Sequence, residues 1–169
     1  MTYAATQSEE VLFIMPTEQA QRTVKNYMWL TMAGGLIPVP ILDLAAISGL
    51  QLKMLADLCR IYNVPFRKES GKSIIAALLG YIVPESLSRG AGGFLLKIIP
   101  IIGPITGALS MSIFAGASTY AIGNIFIHHL ASGGTLLDMD VEGMKEKFKE
   151  EFEKGKQAAK EMKEKGKGA

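Results

Sequence analysis

Polar positions are unevenly spaced along this 169-residue chain, and the gaps between them define its elements. From Thr17 to Met32, TEQAQRTVKNYMWLTM has a helical rhythm, with Thr17 as N-cap and Glu18 at the positive helix end. The chain then turns wholly apolar through WLTMAGGLIPVPIL, where Gly34-Gly35 and Pro38-Val39-Pro40 cannot continue a regular helix. A second helix is predicted from about Ile41 to Tyr62 and ended by Asn63-Val64-Pro65. Its first half is apolar apart from Asp43, and its second half is amphipathic, with Lys53, Asp57 and Arg60 at ion-pair spacing. The result is a helical hairpin with a greasy tip and polar open ends. A soluble hairpin usually puts polar residues at its turn, because turn backbone needs water. An apolar, proline-bearing tip fits burial in protein or in a membrane.

The pattern recurs. Glu69 to Ser86 reads as a helix, the glycine-rich SRGAGG as a joint, and LLKIIPIIGPITG as a second greasy turn. A long helix from about Ile105 to Leu130 follows. It lies within the longest charge-free run, Ile98 to Leu137, which contains no Asp, Glu, Lys or Arg. Such a helix has no charged face to offer water, so its natural solvent is a bilayer or an enclosing protein core. About 20 apolar residues suffice to span hydrocarbon, which makes a membrane span the expectation here. Ser112, Gly116, Thr119 and Gly123 fall on one face of it, after a GxxxG pair at Gly103 and Gly107. Small residues at this spacing let helix backbones approach closely. The plain reading is packing against the first hairpin within one chain; the alternative is a contact between copies.

Ser132-Gly-Gly-Thr-Leu-Leu breaks the pattern, and Asp138 or Asp140 is placed to cap a tail helix. There Val141, Met144, Phe148, Phe152 and Gly155 form a stripe, extended by Ala159 and Met162, with Lys and Glu on the other face. This reads as a solvated helix resting one edge on the body, with the last residues, KEKGKGA, fraying. Three divisions follow: an N-terminal segment over 1–16, an apolar helical domain over 17–135, and a charged tail over 136–169.

Charge sharpens that division. Residues 1–135 carry 9 basic and 7 acidic side chains, whereas the last 34 residues carry 9 of each, so both parts are near neutral. No basic stripe of the kind nucleic-acid binding needs is present. One cysteine, Cys59, excludes an internal disulfide and reads as a small apolar residue on a helix. The start, MTYAATQSEEVLFIMP, lacks a basic region before its short apolar stretch and does not read as a signal peptide.

Candidate chemistry is sparse. Asp43 follows the Pro38/Pro40 turn in apolar surroundings, where an acid must be paired, capping or wet. Capping the second helix is the plain role; an ion- or proton-handling acid, sharing a polar track with Gln51, is the sharper one. His128-His129 are adjacent and point apart on a helix, with no third ligand at useful spacing, so no metal site is read there. Tyr27, Trp29, Tyr81 and Tyr120 are candidates for interfacial aromatics or for core. The chain has no Walker A, GxSxG or HExxH motif. No cofactor is implied, and the expectation is a protein without enzymatic activity.

Two blocks of this sequence resemble one family. GGLIPVPILDLAAISGLQLKMLADLCRIYNVPF looks like the opening motif of the YcjF-like bacterial membrane family, domain of unknown function 697. LLKIIPIIGPITGALSMSIFAGASTYAIGNIFIHHLASGGTLLD resembles its second half, and KFKEEFEKGK is similar too. The resemblance covers roughly Thr17 to Lys156. Its motif falls on Gly35, Pro38, Pro40, Asp43, Gln51 and Met54, as a structural signature without a catalytic role. It implies a helical bacterial membrane protein whose relatives occur alone or fused to Era-like GTPase domains, so a separate GTPase is a candidate partner.

The reading is therefore an all-α protein of two helical hairpins with proline-containing tips and an amphipathic charged tail helix. It acts as an anchor or assembly module in the cytoplasmic membrane, with the bilayer as partner and a homo-oligomer as a further option. Arg67, Lys68, Lys72 and Arg89 fit a cytoplasmic side, where the tail is expected too. Two alternatives stand beside it: a channel or transporter-like protein using Asp43 and Gln51, and a soluble helical oligomer that buries the apolar tips.

Overall fold

The computed structural model describes residues 2–34, 40–82 and 107–168. These residues are all-α: α1 (Thr2–Gly34), α2 (Pro40–Ile61), α3 (Lys68–Ile82), α4 (Gly107–Ala131) and α5 (Lys145–Lys167), with no strand among them. The expected tips at 35–39 and within 83–106 lie outside the described residues, and with them Gly35, Pro38 and Gly103.

α1 differs from expectation at its start. It begins at Thr2 and runs through Pro16, so Thr17 is an interior residue and not an N-cap. A proline inside a helix removes one backbone donor and crowds the preceding turn. Here the helix continues across it, and the Thr17 hydroxyl accepts from Tyr62 Oη at 3.4 Å instead of capping. α2 opens on Pro40, whose fixed φ suits the first helical turn. It stops where Asn63 takes a left-handed φ of 55° and Val64 N–H donates to Cys59 O at 2.8 Å.

The helices are arranged around α4. Residues 115–119 and 121–127 of α4 are all buried, against α1 on one side and α5 on the other. α1 and α4 run antiparallel: Gln21 bonds Asn124, Thr31 bonds Thr119, and Ser112 bonds Met32. α2 runs antiparallel to α1, with Tyr27 bonded to Asp57 and Thr17 to Tyr62. α3 folds back along α2, where Gly71 meets Leu52. The second hairpin was expected to pair its two helices, yet α3 touches α4 only slightly and packs on α2. The 24 positions between Ile82 and Gly107 place no short-loop constraint on that pairing.

The tail helix starts later than expected, at Lys145, with Met144 at its N-cap position and no side-chain cap. The two candidate caps shape the preceding turns instead. Asp138 Oδ1 accepts from Thr135 N–H at 2.6 Å, and Asp140 Oδ1 from Gly143 N–H at 3.0 Å. The helix continues to Lys167, into the stretch expected to fray. Its stripe is buried as its spacing demands: Phe148, Phe152, Gly155 and Ala159 face the body, and Phe152 meets Phe114 edge-on at 5.6 Å.

Candidate functional site

The polar side chains that the fold takes out of water gather in one seam between α1, α2 and α4. Gln51, Thr31, Ser118 and Thr119 are fully buried there. Gln51 Nε2 donates to Ser118 Oγ at 3.0 Å and to Thr119 Oγ1 at 3.3 Å. Thr119 donates to Thr31 Oγ1 at 3.1 Å, and Thr31 to Tyr27 O at 2.9 Å. Ser118 donates to Ala115 O at 3.1 Å. Each hydroxyl proton is thereby committed, and the two hydroxyl oxygens can only accept from the amide. That fixes the Gln51 amide orientation and leaves its Oε1 without a hydrogen-bond partner. A buried acceptor in that state costs about 1–3 kcal/mol relative to a satisfied one.

The seam continues along α1. Ser112 Oγ donates to Met32 O at 3.0 Å, and Gln21 Nε2 to Asn124 Oδ1 at 3.0 Å. Tyr27 donates to Asp57 Oδ2 at 2.7 Å, while Arg60 holds the other carboxylate oxygen at 2.9 Å. Burial, then the bond to Asp57, pushes the Tyr27 phenol well above its usual range. These bonds tie three helices in one register and put no nucleophile beside a base.

The predicted small-residue face lies on the same helix and packs within the chain. A Cβ on Gly116 would stand 2.8 Å from Met32 Sδ and 3.1 Å from Ala159 Cβ, so α1 and α5 both approach there. A Cβ on Gly123 would collide with both methyl groups of Val24. Ser112 and Thr119 on this face spend their hydroxyls on α1. Gly107 is the first residue of α4. Met54 is fully buried in the core.

Asp43 is three residues into α2, a place where a carboxylate suits the helix dipole; its side chain lies outside the described residues. Gln51, its expected companion on a polar track, is instead closed into the seam. His129 Nε2 lies 2.8 Å from Thr135 O and 3.0 Å from Asp138 Oδ1, holding the turn after α4. The backbone N–H of Thr135 and the His129 ring hold the Asp138 carboxyl below its usual range. Among the described residues no three His, Cys, Asp or Glu side chains converge on a metal-sized position.

Of the four candidate aromatics, Tyr27 is buried and Tyr81 donates to Glu146 with Lys145 Nζ 5.7 Å from its ring. Trp29 is 47 % exposed. Thr31, Ser118 and the Gln21–Asn124 pair were absent from the sequence reading. Their signal was available: a hydroxyl or amide inside an otherwise apolar helical run must find a buried partner.

Residues 4–157 match a family described as a domain of unknown function, DUF697. The chain belongs to the DUF697 family. Within it, the chain is similar to Magnetosome membrane protein 22 of Magnetospirillum gryphiswaldense, at 35 % identity over 144 residues, which are 85 % of this chain and 74 % of that protein. No solved structure matches it.

Membership bears on the span expected in the charge-free run. Among the described residues, no helix is long and apolar enough to cross a membrane. α4 carries Ser112, Ser118, Thr119 and Asn124, all buried, and its polar atoms bond to α1 and α2. Over residues 115–119 and 121–127 this DUF697 helix is enclosed by protein.

Proposed function

We propose that the chain is a membrane-associated assembly module without enzymatic activity, held at the bilayer by its apolar segments, with the described helices as a protein-packed body. One observation carries this: the likeness to a protein described as a magnetosome membrane protein extends over 85 % of the chain. The arrangement of the helices supports it. α1 ends and α2 begins on either side of positions 35–39, and α3 ends and α4 begins on either side of 83–106. The antiparallel registers bring Gly34, Pro40, Ile82 and Gly107 to one end of the body. Both proline-bearing apolar stretches of sequence, GLIPVP and LLKIIPIIGPI, therefore leave from that end.

The polar seam supports a structural role for the family-motif residue Gln51, because its amide is spent on pairing α2 with α4. The exposed Lys/Glu face of α5 is the surface left for a protein partner, and a separate GTPase is the partner class that the fused arrangement of relatives implies.

Fractionation tests the reading. The full chain, expressed and separated by centrifugation, stays in the membrane pellet through high-salt and alkaline carbonate washes and leaves it in detergent. Recovery in the soluble fraction without detergent overturns it.

A further inference from the structure

The outward face of α1 changes character along its length. Arg22, Lys25 and Asn26 are exposed, and they are followed by exposed Trp29, Leu30 and Ala33 just before Gly34. Trp29 and Leu30 are 47 % and 52 % exposed, although the inward residues Met28, Thr31 and Met32 are buried. Positions 29, 30 and 33 lie on one side of a helix, since i, i+3 and i+4 residues are neighbours. A helix ending in water would carry polar residues there.

α5 arrives at the same place. It crosses α4 steeply, with Phe152 against Phe114, Gly155 against Ala117 and Ala159 against Gly116, and continues to the outward face of α1. Gly166 lies beside the Trp29 ring, where a Cβ would stand 3.4 Å from Cη2. Its last turns carry Lys160, Lys163 and Lys165 against Glu161 and Glu164, an excess of one positive charge. Three features thus coincide at one end: an exposed aromatic-aliphatic patch, a lysine-rich rim, and the helix ends from which both apolar sequences depart. Tryptophan favours the headgroup level of a bilayer, and lysines near an anionic leaflet are attracted to it.

We infer that this end docks on a bilayer containing anionic lipid, with Trp29 and Leu30 at the lipid and the α5 lysines over the headgroups. The inference rests on the membrane association proposed above and adds its orientation and lipid chemistry. Charge complementarity selects the occupant, because a neutral or cationic surface gains nothing from the lysine rim.

Trp29 is the chain's single tryptophan, so its fluorescence reports this patch alone. The full chain, purified in detergent, is diluted into vesicles of phosphatidylcholine or of phosphatidylcholine with phosphatidylglycerol, then floated. The expected result is that the protein floats on both vesicles, while a blue-shifted Trp29 emission and lost acrylamide quenching develop on the anionic ones and are reversed by salt. Lys160→Glu with Lys165→Glu, both at exposed positions, should weaken this docking of the Trp29 end by at least about tenfold, at about fivefold per lysine removed, without preventing flotation. If the protein floats but Trp29 emission and quenching do not change, the docking end is wrong although membrane association holds. If it floats on neither vesicle, the membrane reading itself fails. If Trp29 is already shielded without vesicles and the mass is that of a dimer, a second copy covers the patch and the inference is overturned.

Discussion

Gly155 on α5 lies directly against the backbone of Ala117 on α4: a Cβ at position 155 would stand 2.7 Å from the Ala117 carbonyl oxygen and 2.9 Å from its Cα. Backbone cannot move aside as a side-chain tip can, so the tail helix docks only because this position has no side chain. Gly155→Ala should cost about 1–3 kcal/mol, as overpacking does. Gly80→Ala is the control: that glycine sits inside α3 with nothing within 4 Å of a Cβ. It should gain about 0.5–1 kcal/mol from helix propensity. Thermal unfolding followed by circular dichroism separates the two, and equal effects would contradict the crossing.

The α1–α4 contact makes a graded prediction. At Gly116 a methyl group meets the thioether of Met32, a flexible chain that can swing away. At Gly123 it meets the branched Val24, stiff about χ1. Gly123→Ala should therefore lower the melting temperature more than Gly116→Ala. Gly116→Leu exceeds what Met32 can yield, and it should loosen the body as judged by protease resistance.

Within the seam, the two ends of the hydrogen-bond chain differ in cost. Gln51→Met removes the amide together with its orphaned Oε1 and leaves both hydroxyl protons bonded. It should change stability by less than about 1 kcal/mol, whereas Thr31→Val strands the Thr119 hydroxyl proton and should cost about 1–3 kcal/mol. Denaturant midpoints of the two variants test the order.

Burial pushes the Cys59 thiol up to about 11 from an ordinary value of 9.0. A raised folded value means the folded state keeps a proton that the unfolded chain releases. Stability is intact below about pH 9 and falls as pH rises towards about 11. Cys59→Ala should flatten that decline in melting temperature against pH, and the native thiol should resist alkylation at pH 8 until denaturant is added.

Much of this architecture was legible from spacing alone. The stripe from Phe148 to Ala159 recurs every three to four residues, and one buried edge satisfies it whatever the partner. The end of α2 at Asn63 was legible because few residues accept its left-handed backbone. The solvent of α4 was not. A run without charge is equally at home in lipid and in protein, and the decision rests on Val24, Met32 and Ala159, which lie far away in sequence. The start of α1 was missed because Thr17 suits an N-cap locally, and a local signal does not stop a helix that tertiary contacts hold. Of the seam, Gln51 was noticed for its polarity, but its partners on α4 could only be assigned once the register of α2 against α4 was known.

The most direct test of the account is whether α4 stays packed on α1 while the protein is at the membrane. Thr31 Oγ1 and Thr119 Oγ1 are 3.1 Å apart, so cysteines at both positions, in a Cys59→Ser background, place two sulfurs within bonding reach. Mild oxidation of isolated membranes should give an intramolecular disulfide, seen as a faster-migrating monomer on non-reducing gels. No cross-link, or only an intermolecular one, would mean that α4 leaves α1 for lipid or for another copy, and would contradict the protein-packed body.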